Sequence, residues 1–497
     1  MKPTTTHLRF FPWCPVPLSA KSIREDLKEF FRGEMQFDEA SCRLFATDAS
    51  IFRRVPVGVL APRDEEDLQA LVKYASEKRL GLTARGGGTG LAGESLTDQL
   101  VVDLTRHFDK IVSIEGERVR VQPGVVAGTL NDALRPLGRR LAIDSGSEAS
   151  CTLGGMLANN ASGARVLRHG YIRHYVHEVK AMVGTGQPVK LHRHTCKPTI
   201  PITAEGQIAE VVAGMIRQHL GLIETCQPRT RFNRAGYLLD DLLEGDLVDL
   251  QKLLVGAEGT LGIITEATLQ TIPLARERAV MLLGFHSVQE AAELVPHLLE
   301  SGPAAVELLD RRLVTMACEA DSIFKRWISP SVQAVLLVEW ESDTTGTVLG
   351  MMEKGVTAIR HQAYPLVERV TLEAEEAERL WSLRRKALPA LFATAQRTPV
   401  GFLEDISVPV NALAGFLRQI QQLLPRHETS ASILSHAGAG IVHLRPLFDL
   451  HQMDDIKRLQ MFTEDVYAEV FRAGGSISAQ HGVGLARGPW LHQQVGQ

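Results

Sequence analysis

The chain has 497 residues, of which 44% are hydrophobic and 23% charged, and its formal net charge is −4. That length leaves room for two or more domains, and the composition is that of a globular protein rather than a disordered or fibrous one. The slight acidity removes the electrostatic reason to expect nucleic acid, and no apolar run approaches the roughly 20 residues that span a bilayer.

Residues 1–47 read as a lead-in. They lack the long apolar core of a secretory signal, and residues 21–31 have the pattern of a helix. Residues 57–61 read as a strand, and the acids Asp64, Glu65, Glu66 and Asp67 open a helix to about residue 78, at the end where the helix dipole favours negative charge. The apolar run 80–84 reads as the next strand. It feeds Arg85-Gly86-Gly87-Gly88-Thr89-Gly90. Adjacent glycines let consecutive backbone N–H groups turn toward one point, and such a concave row of amides takes an anion, typically a diphosphate. The order is neither the Rossmann nor the P-loop pattern, so a nucleotide cofactor is expected on another scaffold. Residues 111–115 and 118–122 alternate like a hairpin, and 126–137 read as a helix. The stretch 144–163 is too polar and glycine-rich for a plain core element. Residues 179–183 and 189–191 suggest a second hairpin, and 262–269 a strand that stops near Pro273. Composition changes there, and a boundary is placed near 275. Beyond it, strands (279–285, 332–340) alternate with helices (288–300, 373–392). Six cysteines (Cys14, Cys42, Cys151, Cys196, Cys226, Cys318) are scattered with no Cys-x-x-Cys, which predicts no iron–sulfur cluster on this chain and a reducing compartment.

Further glycine-bearing turns follow the first: Pro123-Gly124, Ser145-Gly146-Ser147, Ser150-Cys151-Thr152-Leu153-Gly154-Gly155, Asn160-Ala161-Ser162-Gly163 and Glu258-Gly259-Thr260-Leu261-Gly262-Ile263. In this order, over roughly residues 45–485, they make the chain resemble the FAD-linked oxidases with a vanillyl-alcohol oxidase (PCMH)-type flavin domain. The resemblance implies an α+β fold: a PCMH-type FAD-binding domain of two α+β subdomains over residues 48–275, then an α+β substrate domain with an antiparallel sheet over 276–497. It also implies FAD, with Arg85, Gly86, Gly87, Gly88, Thr89 and Gly90 at the diphosphate. Pro123, Gly124, Ser145, Gly146, Ser150, Gly154, Gly155, Asn160, Gly163, Glu258, Gly259, Gly262 and Ile263 would line the rest. The diphosphate loop holds Thr89 and no His or Cys nucleophile, so the FAD is expected to be non-covalent.

The second half carries the candidates for chemistry. Arg384 follows Trp381 by three residues, which places both on one helix face, and a guanidinium grips a carboxylate through two parallel hydrogen bonds. His436 and His443 flank Gly438–Gly440; on a regular strand they would face opposite sides and converge only if that segment bends or bulges. His481 sits in Gln480-His481-Gly482, and a neutral imidazole suits proton abstraction near physiological pH. Glu404 and Asp405, before Ile406-Ser407-Val408-Pro409, resemble the family's acid-containing strand facing the flavin domain, which makes them candidate neighbours of the site, although an acid pair at a strand edge is more often solvated than catalytic. The resemblance makes Arg384 a ligand for a substrate carboxylate, His481 the base, and His436 with His443 a site for a divalent metal such as zinc. Gln480 stands where the family usually has Glu, an uncharged amide in place of a carboxylate. Arg231 to Tyr237 also match a family segment near the active site, which makes Arg234 and Tyr237 candidates for substrate contact.

The function implied is that of an FAD-dependent dehydrogenase. It would oxidise a small 2-hydroxy acid of the D-lactate, D-2-hydroxyglutarate or glycolate type to the 2-oxo acid, by hydride transfer to flavin N5. Because the chain lacks a cysteine cluster, the electrons are expected to leave to a separate iron–sulfur protein or a quinone-linked carrier, the former in line with likeness to the iron–sulfur-associated branch. A cytoplasmic location, peripheral to a respiratory membrane, and a homo-oligomer accord with this. Similar proteins continue well beyond the Gln-His-Gly element, so the resemblance implies either a truncated C-terminus or a cover supplied by a partner subunit. Two other readings stay open: a flavin oxidase of alcohols or sugars on the same scaffold, and a catalytically weak flavin-binding subunit of a larger complex.

Overall fold

The computed structural model describes residues 19–196, 203–362, 365–394 and 398–496. The first 18 residues of the lead-in, Cys14 among them, lie outside the described residues.

The first half is built on two main sheets. In the smaller, Glu34–Gln36, Gly58–Ala61, Leu100–Asp103 and Leu82–Arg85 lie side by side in that order, the last three in parallel. Leu100 to Asp103 are buried throughout, as expected of a parallel strand covered on both faces. Helix Glu65–Lys78 packs beside them, its first turn capped by Asp64, which accepts the Asp67 N–H at 2.9 Å. The second sheet is antiparallel, in the order Ile111–Glu115, Arg118–Val121, Ile263–Gln270, Val176–Met182, Pro188–Leu191. Both expected hairpins are present in it. The polar stretch 144–163 contains a short helix, Leu153–Ala158, that sequence reading left unassigned. Thr152 caps it, and its buried Leu153, Met156 and Leu157 tie it to the core of the second sheet.

The second half is one antiparallel sheet of seven strands in the order Val367–Thr371, Glu277–Phe285, Ala334–Ser342, Ala305–Asp310, Ala431–His436, Ile441–Pro446, Leu403–Ser407. Its strands are apolar on both faces because both faces are covered. Met281 and Leu283 join a core with helices Val288–Leu299, Leu413–Arg426 and Met453–Ala473, while Val280 and Leu282 join another with helices Arg311–Ala320 and Ala374–Thr394. Buried acids interrupt these runs, two of them in strand Ala334–Ser342. Glu339, fully buried, receives ion pairs from Arg165 and Arg278 and the indole N–H of Trp381 at 2.6 Å. Arg165 also pairs with Asp144 at 2.7 Å, and His169 meets Glu341 at 2.9 Å. This charged seam joins the two halves beside the cavity between them. No helix among the described residues is long and apolar enough to cross a membrane.

Candidate active site

A cavity of about 780 Å³ separates the halves, and both contribute walls. The wall from the first half is mostly main chain. A side chain at Gly86 would collide with the Thr152 hydroxyl, at Gly87 with the Ser150 carbonyl, and at Gly90 with the Glu94 carboxylate. Only Gly88 in this loop has a left-handed φ, +65°. The expected reason for three glycines is therefore corrected: one supplies a turn, and its neighbours supply close approach to residues 150–152. Gly154 lies against Pro123 and Gly163 against the Asp144 carbonyl in the same way. Arg85 lines the cavity, but its guanidinium ties the loop down, donating to the Thr47 carbonyl at 2.7 Å and the Ser95 hydroxyl at 3.2 Å.

Arg85 through Gly90, Pro123, Ser145, Gly146, Gly154, Gly155, Gly163, Glu258, Gly259 and Gly262 all line this space. Four expected residues do not. Gly124 packs on the Leu104 and Phe108 carbonyls, and Ser150 turns its carbonyl toward Gly87. Asn160 is fully buried, its side-chain oxygen accepting the Arg173 N–H at 3.1 Å. Ile263 faces the core beside Leu60 and Met182, and strand alternation gives the cavity Ile264 instead. Glu258 is also redirected: its carboxylate accepts the N–H groups of Val483 and Gly484, both at 2.8 Å, stapling the turn after His481 to this wall. Glu94 and Asn159, hydrogen-bonded to each other at 2.6 Å, line the wall without having been anticipated. A wall made mostly of main chain, with glycines along the loop, fits an extended cofactor with an anionic middle.

The opposite wall is made of side chains. Strand Ala431–His436 and strand Ile441–Pro446 form a tight hairpin across a 3-10 turn at Ala437–Ala439 and Gly440 with φ +69°. Leu434 pairs with His443 and His436 with Ile441. The two histidines are therefore diagonal neighbours on one face, with ring centres 4.9 Å apart. A hairpin, not a bulge, brings them together. His443 turns Nδ1 to the Glu404 carbonyl, and His436 turns Nδ1 to Glu307 at 2.7 Å. Burial, reinforced by the neighbouring His436 and His481, holds His443 well below the usual imidazole range.

Arg384 lines the same space, with Nε on the other oxygen of Glu307. Of the three adjacent cations it alone turns inward: Arg385 pairs with Glu378, and Lys386 with Asp321 at 2.6 Å. Glu307 is fully buried, and although burial opposes its ionisation, the adjacent His436 and Arg384 hold its pKa below the ordinary value. His481 stacks over His443 at 5.6 Å, and Gln480 donates to the Ser162 hydroxyl at 2.8 Å, across to the first wall.

Glu404 and Asp405 are not at a solvated edge; both are buried. Asp405 accepts the N–H groups of Gln480 at 2.6 Å and His481 at 2.9 Å and the Ser478 hydroxyl at 2.7 Å, while His481 Nδ1 faces it at 3.8 Å. Burial lowers the His481 pKa, opposed by the charges of Asp405 and Glu404. Glu404 pairs with Arg445, and both line the cavity. Arg234 and Tyr237 do not. Arg234 is buried on the Asn159 carbonyl at 2.7 Å, and Tyr237 is 48% exposed with its hydroxyl on Thr260. Sequence reading missed Glu307 and Arg445. A signal existed for Glu307: a lone acid inside an apolar strand, Ala-Val-Glu-Leu-Leu. Among the described residues no group of three or more His, Cys, Asp or Glu is placed to hold a metal ion; His436 and His443 are joined in the cavity wall by the amide Gln480.

Comparison with known proteins accords with this geometry. The family described as "FAD binding domain" matches residues 56–192, and "FAD linked oxidases, C-terminal domain" matches residues 274–497. The chain is 29% identical to a D-2-hydroxyglutarate dehydrogenase of Pantoea ananatis (strain AJ13355), covering 92% of this chain and 47% of the relative, and 29% identical to one of Escherichia coli (strain K12), covering 95% and 48%. It thus spans about half the length of these relatives. A glycolate oxidase subunit of Bacillus subtilis (strain 168) is 27% identical over 96% of this chain and 91% of its own. Among solved structures, p-cresol methylhydroxylase superposes with a TM-score of 0.66 at 13% identity, covering 93% of this chain and 88% of its own. The 4-ethylphenol oxidase of Gulosibacter chungangensis gives 0.65 at 15% identity, covering 94% and 91%. With a glycine cradle on one side, a charged wall on the other and both halves matched in order, the chain belongs to the FAD-linked oxidases, an FAD-binding α+β domain followed by the family's C-terminal domain.

Proposed function

We propose that the chain oxidises a small 2-hydroxy acid to its 2-oxo acid, with FAD held non-covalently in the glycine cradle. One observation carries this reading: Arg384 and His481, a carboxylate grip and a base, line the same cavity as the cradle. The names of the similar proteins, D-2-hydroxyglutarate dehydrogenase and glycolate oxidase subunit, favour the same substrate class.

Residues 48–275 would form the cofactor domain and 276–497 the substrate domain. FAD, when bound, supplies the hydride acceptor, and the protein supplies position and electrostatics. Arg384, steadied through Nε by Glu307, would receive the substrate carboxylate. His481 would take the hydroxyl proton on Nε2, while Asp405 faces Nδ1 and holds the backbone of the turn. The buried Cys151 lines the cavity, but burial raises its thiol pKa, which disfavours the reactive thiolate and supports non-covalent FAD. His436 and His443 suit a divalent metal, because each has Nδ1 directed to an oxygen of its surroundings, the usual arrangement around a metal-binding imidazole. Gln480 adds only a neutral amide, and no step is assigned to a metal. The reduced cofactor would pass its electrons to a separate acceptor, an iron–sulfur protein or a quinone-linked carrier.

The test is anaerobic mixing of the yellow protein with D-lactate, D-2-hydroxyglutarate and glycolate. Bleaching of the flavin band by at least one acid is expected. A flavin that stays oxidised across a broad 2-hydroxy-acid panel would overturn the assignment.

A further inference from the structure

Glu307 lies fully buried in strand Ala305–Asp310, flanked by apolar residues that pack on both faces of the sheet. A buried carboxylate persists only when its charge and lone pairs are met. Here each oxygen has a different partner from a different element. One receives Arg384 Nε–H from helix Ala374–Thr394, and the other lies 2.7 Å from His436 Nδ1 at the end of strand Ala431–His436.

The chemistry of the three groups fixes the direction of both bonds. An ionised carboxylate only accepts and a guanidinium only donates. The hydrogen in the second bond therefore belongs to His436 Nδ1. In the neutral ring that leaves Nε2 with the free lone pair, on a residue that lines the cavity.

We propose that Glu307 is a positioning residue: one carboxylate clamps Arg384 and His436 together, holding the guanidinium in place and keeping the Nδ1–H of His436 turned into the protein, so that the Nε2 edge of the ring is the one left for the substrate space. The clamp rests on the hydroxy-acid reading for its use, because it fixes the carboxylate grip relative to the wall that carries His481, the group placed to take the proton of a hydroxyl on the carbon next to that carboxylate. A misplacement of about 1 Å in such an arrangement costs about 100-fold in rate.

The test uses the FAD-loaded full chain with its histidines 15N-labelled, the His436 signal being identified by its loss in His436→Gln. In the native protein His436 is expected as the Nδ1–H tautomer. Glu307→Gln keeps an oxygen for Arg384 but turns an amide NH2 toward His436, so the ring hydrogen should move to Nε2. Turnover of D-lactate should then fall roughly 10- to 100-fold, with KM changing far less and FAD content held. Glu307→Asp keeps the charge, so the Nδ1–H tautomer should survive while turnover falls. A native His436 carrying its hydrogen on Nε2 would overturn the proposal even if no Glu307 variant folds, as would Glu307→Gln with unaltered tautomer and turnover. If the tautomer behaves as expected but the native protein reduces its flavin with no hydroxy acid, the clamp stands and the hydroxy-acid reading falls.

Discussion

The two walls of the cavity are built on opposite principles. The wall from the first half comes mainly from three short stretches, residues 85–90, 145–163 and 258–264, and works through what is missing: side chains at Gly86, Gly87 and Gly90 would occupy space already held by Thr152, Ser150 and Glu94. The substrate-side wall gathers single charged residues from distant strands and a helix, and works through what is paired: Glu307 with Arg384 and His436, Glu404 with Arg445, Asp405 with the turn that carries His481. A wall of main chain tolerates no added atom. A wall of buried charges tolerates no lost partner, because the group left behind is stranded in a low-dielectric interior. The two should therefore fail separately.

The largest effect should come from the substrate side. His481→Ala removes the group proposed to take the substrate's hydroxyl proton, and turnover should fall about 10²- to 10⁴-fold. FAD content and the flavin spectrum should not change, since Glu258 and Asp405 hold the turn through backbone N–H groups that the substitution keeps. Stopped-flow reduction beside a flavin titration separates these quantities. Loss of FAD in this variant would mean that the walls are not independent.

Gly87→Ala strikes the other wall. The new methyl meets the Ser150 carbonyl, which is backbone and cannot rotate away. Overpacking of this kind costs about 1–3 kcal/mol, equivalent to roughly 5- to 150-fold weaker FAD retention. With FAD added to saturation, KM for the hydroxy acid should match the native value. A raised KM at full flavin occupancy would show that the 85–90 loop also shapes the substrate end.

The same contrast explains how much was legible in the sequence. Main-chain sites leave contiguous traces: glycine clusters in a fixed order marked most of the residues that line the flavin side. They were misread where strand alternation or a close approach decides which neighbour faces in, as with Ile263 against Ile264 or Ser150 against Gly87. Paired-charge sites leave scattered traces. Arg384 was visible through its helical spacing to Trp381, but the partner that steadies it, Glu307, lies 77 residues away and is recognisable only as an acid in an apolar strand. Whether His436 and His443 converge depends on a hairpin register that no local pattern specifies. The acid pair Glu404-Asp405 was misjudged for a related reason: burial is set by Arg445 and by the turn at 478–482, not by the strand's own sequence.

Gln480 is where the walls touch, and it yields the smallest predicted effect. Its amide nitrogen donates to the Ser162 hydroxyl, so the residue spans the cavity beside His443 and His481. Gln480→Glu keeps the shape, and Ser162 can reverse its bond, since a hydroxyl donates as readily as it accepts. The new carboxylate would give the two imidazoles a third, charged donor. Unit charges 4 Å apart interact by about 4 kcal/mol at an effective dielectric near 20, but burying the carboxylate consumes much of that gain. A net increase of about tenfold in zinc affinity, or ~1.4 kcal/mol, is expected, read by competition with a fluorescent chelator. His443→Ala in the same background should cancel it. A zinc affinity that Gln480→Glu leaves unaltered would mean that His436 and His443 do not form a metal site, and that the substrate wall acts through its ion pairs and His481 alone.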